Sequence, residues 1–358
     1  MSYSQSIPSF YFPTQVMLID DDPEYCRYMA SNLSAGHVTN FVSSVHAPDG
    51  LDVLNACQEA DELVAKFVSE ADESEWEHRA VDINIYDQYR EIYNASRFNR
   101  FSVVVVDYEM PSMSGFEVCQ QIESPYIQKI VLTGEADEGL AIRAFNEGLI
   151  DHFIHKQSSN LLEELEFAIQ SAQHKYFCKL TETITNAVTK HTHPVSAIAV
   201  PDFRDHFFRL TQQHNIVEYY LFESMGSFLM MDADGNHYGL FTSAPEQFEM
   251  VIDQAKLEDA PQNIIKDLRD FKRMLCFHHQ EDIKLPQVSE WEKYLRPTQM
   301  IQGSTPYYFA FDRGLIDLDY SRVIPFAKLC DYQKSEVRNQ RSEIRGQRSE
   351  DTMISGLS

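Results

Sequence analysis

Short apolar runs that end abruptly in a polar residue recur through the first half of the chain. Val16-Met17-Leu18-Ile19 runs into Asp20, Asp21 and Asp22; Phe101 through Val106 runs into Asp107; Ile130-Val131-Leu132 runs into Thr133; Phe153-Ile154-His155 runs into Lys156. The four consecutive valines Val103 to Val106 give uninterrupted β-branched character, which predicts a central parallel strand covered by helices on both faces. Between the runs, Pro23 follows three aspartates as a helix start, and Gly50 to Ala56 reads as a second helix. From Ser159 an apolar stripe of Leu161, Leu165, Ala168, Ala172, Tyr176 and Leu180 keeps a period near 3.6, continuing to Ile184 and Val188 before His191-Thr192-His193-Pro194. Strand and helix signals in alternation predict an α/β fold with a doubly wound parallel sheet.

Two stretches interrupt or follow that pattern. Asp21 and Asp107 stand 86 positions apart, whereas one βαβ step needs about 30 residues or slightly more, so an insertion is expected, placed at about 61–98. Leu63, Val64, Phe67 and Val68, then Ile83, Tyr86, Tyr89, Arg90 and Tyr93, recur at helical spacing and predict an elongated second helix plus an extra one, used for packing or self-association. After Pro201 the character changes. Ile216 to Tyr220, Ser227 to Met231, Tyr238 to Phe241 and Tyr307 to Phe311 read as strands, with Asp232-Ala233-Asp234-Gly235-Asn236 as a hairpin turn. Helices are expected around Pro245 to Lys256 and Pro261 to Cys276, giving an α+β domain. The expected organisation is a domain at 14–175, a helical linker at 176–194, the α+β domain at 195–333 and a polar tail at 334–358, where Ser335 to Arg341 and Ser342 to Arg348 repeat with too few apolar residues for a coiled-coil seam.

Charge narrows the function classes. The chain carries a formal net charge of −25, and residues 14–175 hold 29 acidic against 10 basic residues, so most of the surface repels nucleic acid. No helix-turn-helix pattern with a basic face is evident. In Ile264 to Leu275, however, Lys266, Arg269, Lys272 and Arg273 crowd one face, a candidate site for a phosphate, a nucleotide or a nucleic-acid backbone; Asp267 and Asp270 interleave with it and favour a salt-bridged surface. Asp232 to Asn236 lacks the glycine position of a calcium loop. Cys276, His278 and His279, and His191 with His193, lack zinc spacing. Six cysteines without C-x-x-C spacing suit a reduced, cytoplasmic protein. With no signal-like start and no run of 18 apolar residues, neither secretion nor a membrane span is expected.

If the four strands lie side by side, their ends bring carboxylates, a hydroxyl and an ammonium together around Asp107. Clustered carboxylates call for a hard divalent ion with oxygen ligands, most naturally Mg²⁺, and Lys156 supplies a point charge suited to a phosphoryl group.

These residues, in this order, resemble the receiver domain of two-component response regulators, which implies a doubly wound five-stranded parallel sheet of flavodoxin type. The resemblance places the acidic pair on Asp20 and Asp21, the phosphorylation site on Asp107, the following Met-Pro and Gly on Met110, Pro111 and Gly115, the hydroxyl switch on Thr133, the aromatic switch on Phe153 and the lysine on Lys156. It implies that Asp107 takes a phosphoryl group from a sensor histidine kinase or phosphotransfer protein, with Mg²⁺ held by Asp20, Asp21, Asp107 and the backbone carbonyl of Glu109. It also implies a homodimer on phosphorylation, formed through the surface around the fourth helix, fifth strand and fifth helix of the receiver. One departure is Gln157, where the family commonly has proline after the lysine. The whole arrangement resembles the quorum-sensing response regulators of Legionella, which implies a cytoplasmic regulator downstream of sensor kinases that detect a small diffusible signal; no enzymatic activity of its own is expected. The alternative is a receiver that governs an unrecognised nucleotide-binding or enzymatic output.

Overall fold

A computed structural model of the chain describes residues 6–33, 40–56, 63–70, 81–85, 88–134, 138–191, 195–276, 291–303, 306–314, 316, 318–319 and 321–328. In chain order the first elements are β1 (Phe10–Tyr11), β2 (Gln15–Ile19), α1 (Pro23–Leu33), β3 (Asn40–Ser44) and α2 (Ala47–Ala56). They are followed by β4 (Val68–Glu70), β5 (Val81–Ile83), two 3-10 helices (Gln88–Tyr93 and Ala95–Asn99), β6 (Phe101–Asp107), α3 (Gly115–Gln121), β7 (Gln128–Thr133), α4 (Glu138–Asn146), β8 (His152–His155), α5 (Leu161–Leu180) and α6 (Glu182–His191). Five of the strands form a parallel sheet in the order β3-β2-β6-β7-β8.

The alternation of β6 sorts its valines between two layers. Val103 and Val105 pack with Met29 and Leu33 of α1 and with Leu165, Ala168, Ile169 and Ala172 of α5. Val104 and Val106 pack on the other face with Leu51 and Leu54 of α2, Val118 and Cys119 of α3 and Ala144 of α4. Every residue of β6 is buried, which is why its sequence reads as continuously apolar up to Asp107. At the amino end of the sheet, buried Thr14, Ser102 and Gln173 are mutually satisfied, with Thr14 Oγ1 and Ser102 Oγ 2.6 Å apart and Gln173 Nε2 donating to Thr14 Oγ1 at 3.1 Å.

The second half adds α7 (Pro201–Gln213), β9 (Ile216–Glu223), β10 (Ser227–Asp232), β11 (His237–Ser243), α8 (Pro245–Leu257), α9 (Gln262–Arg269), β12 (Arg273–Leu275), α10 (Trp291–Tyr294), β13 (Leu295–Pro297), β14 (Gln299–Ile301) and β15 (Tyr307–Arg313). Its main sheet is antiparallel in the order β1-β9-β10-β11-β15-β14. The expected hairpin turn forms, with the Asp232 carboxylate accepting the backbone N–H of Asp234 and Asn236.

Three expectations are corrected, and one strand pairing appears that the sequence did not suggest. Among the described residues of the insertion 63–65 are helical, but the extra helix expected from Ile83 to Tyr93 is not an α-helix: the described chain there forms the β4–β5 ribbon and the two 3-10 helices. Asp61 and Tyr86 lie outside the described residues. Leu63, Phe67, Ile92 and Phe98 bury into the core of the second half, so the helical spacing read there reports one buried face, which a 3-10 turn supplies as well as an α-helix. The helix from Ser159 is interrupted at Thr181, whose hydroxyl bonds the carbonyl of Phe177 and accepts the N–H of Ser9. Tyr176, Phe177 and Leu180, expected in a linker, are part of that same core.

The helix expected to reach Cys276 stops at Arg269. Phe271 adopts φ of 51°, and the N–H of Lys272 turns back to the carbonyl of Asp267. Residues 273–275 then pair as a strand with β13. Finally, the amino-terminal residues before the parallel sheet belong to the other sheet, since Phe10 pairs with Tyr220 and Tyr11 with Tyr219 in antiparallel register. The tail at 334–358, His193, His278 and His279 lie outside the described residues.

Candidate phosphoryl-acceptor site

The register of the parallel sheet assembles the site. Ile19 pairs with Val106, so Asp20 emerges beside Asp107; Asp107 pairs with Leu132, so Thr133 lies one step beyond; Thr133 pairs with His155, and the Lys156 N–H bonds the Thr133 carbonyl at 2.9 Å. All these positions lie at the carboxyl ends of strands, where the pairing ends and side chains are free to converge.

Carboxylate oxygens of Asp20, Asp21 and Asp107 lie within 4.8 Å of one another. Asp20 and Asp107 are buried at 4% and 6% exposure while Asp21 is exposed. Lys156 Nζ sits 2.8 Å from Asp20 Oδ2 and 2.8 Å from Asp107 Oδ2. Burial pushes the Asp107 carboxyl above its ordinary range, opposed by the hydrogen bond and charge of Lys156, reinforced by Asp20 and opposed again by the backbone N–H of Glu109. For Lys156, burial alone favours the neutral amine, but its hydrogen bonds to Asp107 and Asp20 outweigh that and raise it.

Asp22 caps α1 through bonds from the N–H groups of Glu24 and Tyr25, so one member of the acidic run has the helix-capping role. Asp20 Oδ1 accepts the N–H of Asp22. Gly115 covers the backbone of Asp107 so closely that a Cβ there meets the Asp107 carbonyl oxygen at 2.4 Å; only glycine lets the loop from Met110 fold back over the strand end. Thr133 is fully buried with its Oγ1 3.4 Å from His155 Nδ1, and the half-buried Phe153 ring stands at 88° to the His155 ring. Glu109 is exposed.

Three carboxylates and one ammonium leave two formal negative charges uncompensated at one strand end. An all-oxygen donor set with that deficit fits a hard divalent cation.

The candidate basic stripe is interleaved with ion pairs. Arg273 pairs with Asp267 at 2.8 Å and with Glu292 at 2.6 Å, Lys272 pairs with Asp270 at 3.0 Å, and both follow the end of α9 that carries Lys266 and Arg269. Two of the four basic groups, Lys272 and Arg273, are thus held by adjacent acids.

Sequence reasoning missed His155 beside Thr133 and Tyr25, whose ring lies under Lys156 Nζ at 4.8 Å. The signal for His155 was its place between Phe153 and Lys156; Tyr25 carried none beyond its place in the first turn of α1.

Comparison with known proteins agrees with the fold. The sequence pattern of the response regulator receiver domain matches residues 61–166, and no curated protein matches the chain. Among solved structures, the Legionella pneumophila response regulator LqsR is similar over 91% of this chain and 97% of its own, at 28% identity and a TM-score of 0.75. A receiver domain protein from Clostridium thermocellum matches 45% of this chain and 95% of its own at 19% identity and a TM-score of 0.30. A CheY-like receiver domain protein from Methanospirillum hungatei matches 46% and 98% at 17% and 0.30; scores that low carry no argument. With the strand order, the acidic cluster and the lysine in place, the chain carries a receiver domain of two-component response regulators, set in an architecture similar along most of its length to LqsR.

Proposed function

We propose that the chain is a phosphorylation-switched regulator in which Asp107 accepts a phosphoryl group from a sensor histidine kinase or a phosphotransfer protein. The observation that carries this reading is Asp107 itself: a buried carboxylate at the end of the central strand, within reach of two further carboxylates and in contact with Lys156. An oxygen of Asp107 forms a bond to phosphorus as the donor's phosphorus–nitrogen bond breaks, the nitrogen keeping the electron pair. Asp20, Asp21, Asp107 and the backbone at Glu109 are the groups that would hold Mg²⁺, which would neutralise charge on the phosphoryl oxygens. Lys156 stays at the acceptor and balances the added negative charge.

Thr133 then exchanges its contact with His155 for the phosphoryl oxygens, and Phe153 follows into the space released. Both changes reach the surface formed by α4, β8 and α5, where Ile142, Phe145 and Phe167 expose 45%, 49% and 61% of their area. That surface pairs two copies of the phosphorylated chain. The remainder acts by association with other molecules rather than by catalysis. The likeness to a Legionella response regulator and the resemblance of the sequence to quorum-sensing regulators support a cytoplasmic role in relaying a small diffusible signal. Among the described residues no helix is long and apolar enough to cross a membrane.

The test is intact-mass measurement after incubation with acetyl phosphate and Mg²⁺. Wild-type protein gains one phosphoryl group, and Asp107→Asn gains none. Persistent labelling of the Asn variant would remove Asp107 from the role.

A further inference from the structure

We propose that Tyr25 is a positioning residue for the acceptor site, holding the Lys156 ammonium at Asp107 with the face of its ring. This inference rests on the reading of Asp107 as phosphoryl acceptor and adds a residue to it.

The geometry starts from the three N–H bonds of the ammonium. Two directions are taken by carboxylates, Asp20 Oδ2 and Asp107 Oδ2, each at 2.8 Å. Another side of Nζ lies over the Tyr25 ring, 4.8 Å from its centroid, inside the range at which a ring quadrupole attracts a cation. Lys156 has 26% of its side chain exposed, so the ring contact is only partly shielded from water.

Tyr25 is itself held in place. The Asp22 cap fixes the first turn of α1 through the Tyr25 N–H at 3.2 Å, and the ring lines a small cavity with Leu18, Asp20, Cys26, Met29, Val105 and Leu132. Its hydroxyl is buried in that wall without a hydrogen-bond partner. The phenol is also pushed up to about 12 by burial, so it stays neutral and offers the ammonium a ring rather than a second anion. An unsatisfied buried hydroxyl is costly, and the cost falls on a ring kept against the ammonium. The neighbouring Cys26 has no such contact: its thiol leans on the Asp20 carbonyl at 3.5 Å.

The contact has a specific consequence once a divalent cation enters. Asp20 is shared between Lys156 and the acidic cluster, so cation binding competes with the lysine for that carboxylate. The ring lies outside that competition. It keeps the ammonium beside Asp107 when Asp20 turns to the cation.

The experiment uses the full chain and measures affinity for Mg²⁺ alone, and then for beryllofluoride in saturating Mg²⁺, by the change in intrinsic fluorescence. Tyr25→Phe keeps the ring and is expected to bind beryllofluoride as wild type does. Tyr25→Leu and Tyr25→Met, two fillings without an aromatic face, are expected to weaken it by about three- to tenfold, the range of a partly shielded cation–π contact, with Mg²⁺ affinity unchanged or higher. In a Lys156→Ala background the same Tyr25 changes are expected to have no further effect, which a purely structural role does not produce. Equal beryllofluoride affinity in wild type, Tyr25→Leu and Tyr25→Met overturns the inference while leaving the acceptor site standing. An equal loss in Tyr25→Phe, or an undiminished loss in the Lys156→Ala background, overturns it as well. Absence of any beryllofluoride response in the wild type overturns the reading of the site beneath it.

Discussion

Arg97 and Glu218 form a two-pronged ion pair, with Nε to Oε1 at 2.7 Å and Nη2 to Oε2 at 3.2 Å, although the two side chains are 0% and 1% exposed and 121 positions apart. Arg97 stands in the second 3-10 helix, shortly before β6 and Asp107, whereas Glu218 lies in β9 of the other sheet. Arg97 also donates to the carbonyls of Asn94 and Ile324, and Tyr220 donates to Glu218 at 2.6 Å. A charge pair so enclosed persists because further hydrogen bonds satisfy most of its remaining polar valences. The strand that carries the acceptor is thus fastened to the output sheet by a buried, directional contact and by a shared apolar core, in place of a free linker.

Removing one partner leaves the other charged and buried. Arg97→Ala is expected to lower stability by about 3–5 kcal/mol, while Arg97→Met with Glu218→Leu recovers most of the loss. Urea denaturation of the three proteins checks this. A double variant as unstable as the single one contradicts it.

Lys156→Ala removes the ammonium shared by Asp20 and Asp107. The variant is expected to melt below wild type without divalent ions and to gain more than wild type from added Mg²⁺, since three carboxylates then face the ion without competition. A ligand at a hundred times its dissociation constant stabilises by about 2.7 kcal/mol, a readable shift in a thermal scan. Equal Mg²⁺ responses in the two proteins count against the shared-cation arrangement.

Phe167→Glu tests the surface between copies. Phe167 is 61% exposed on α5, far from the carboxylates in chain position, so the variant is expected to accept phosphate normally and to lose the phosphorylation-dependent gain in self-association. That gain is expected in the range of about 5–150-fold, typical of coupled sites. Sedimentation over a concentration series, with and without acetyl phosphate, measures it.

Glu223 gives the fold a pH signature. Burial pushes its carboxyl up from 4.5 to about 7, opposed by the Ser227 hydroxyl, which donates at 2.6 Å. The folded state therefore binds more protons than the unfolded chain between those values, and stability contributed by this group is complete below about 4.5 and declines as pH rises through about 7. Part of the residue's surface remains in solvent, which makes the full difference an upper limit. Glu223→Gln is expected to flatten the fall in melting temperature between those pH values; an unchanged slope assigns the dependence elsewhere.

The acceptor site was legible because each of its residues follows its own apolar run. A parallel sheet aligns strand ends, so Asp20, Asp107, Thr133 and Lys156 converge once the register of four runs is given, and that register follows from burying both faces of β6. The hairpin of β10 and β11 was legible for a similar reason, since its turn residues are local. Local pattern does not encode contacts between distant segments. That Phe10 and Tyr11 complete the output sheet depends on pairing with residues more than two hundred positions away, for which an apolar dipeptide gives no address. Periodicity shows that one face of the insertion is buried, but both α- and 3-10 helices bury one face, and the choice between them was made by what the segment packs against. The end of α9 at Arg269 was decided by the left-handed turn at Phe271 and the ion pairs that follow it, where the apolar spacing by itself runs on unbroken. Tyr25 reached Lys156 only when α1 folded across the sheet, because a contact between residues so far apart in sequence exists only after the layers have packed.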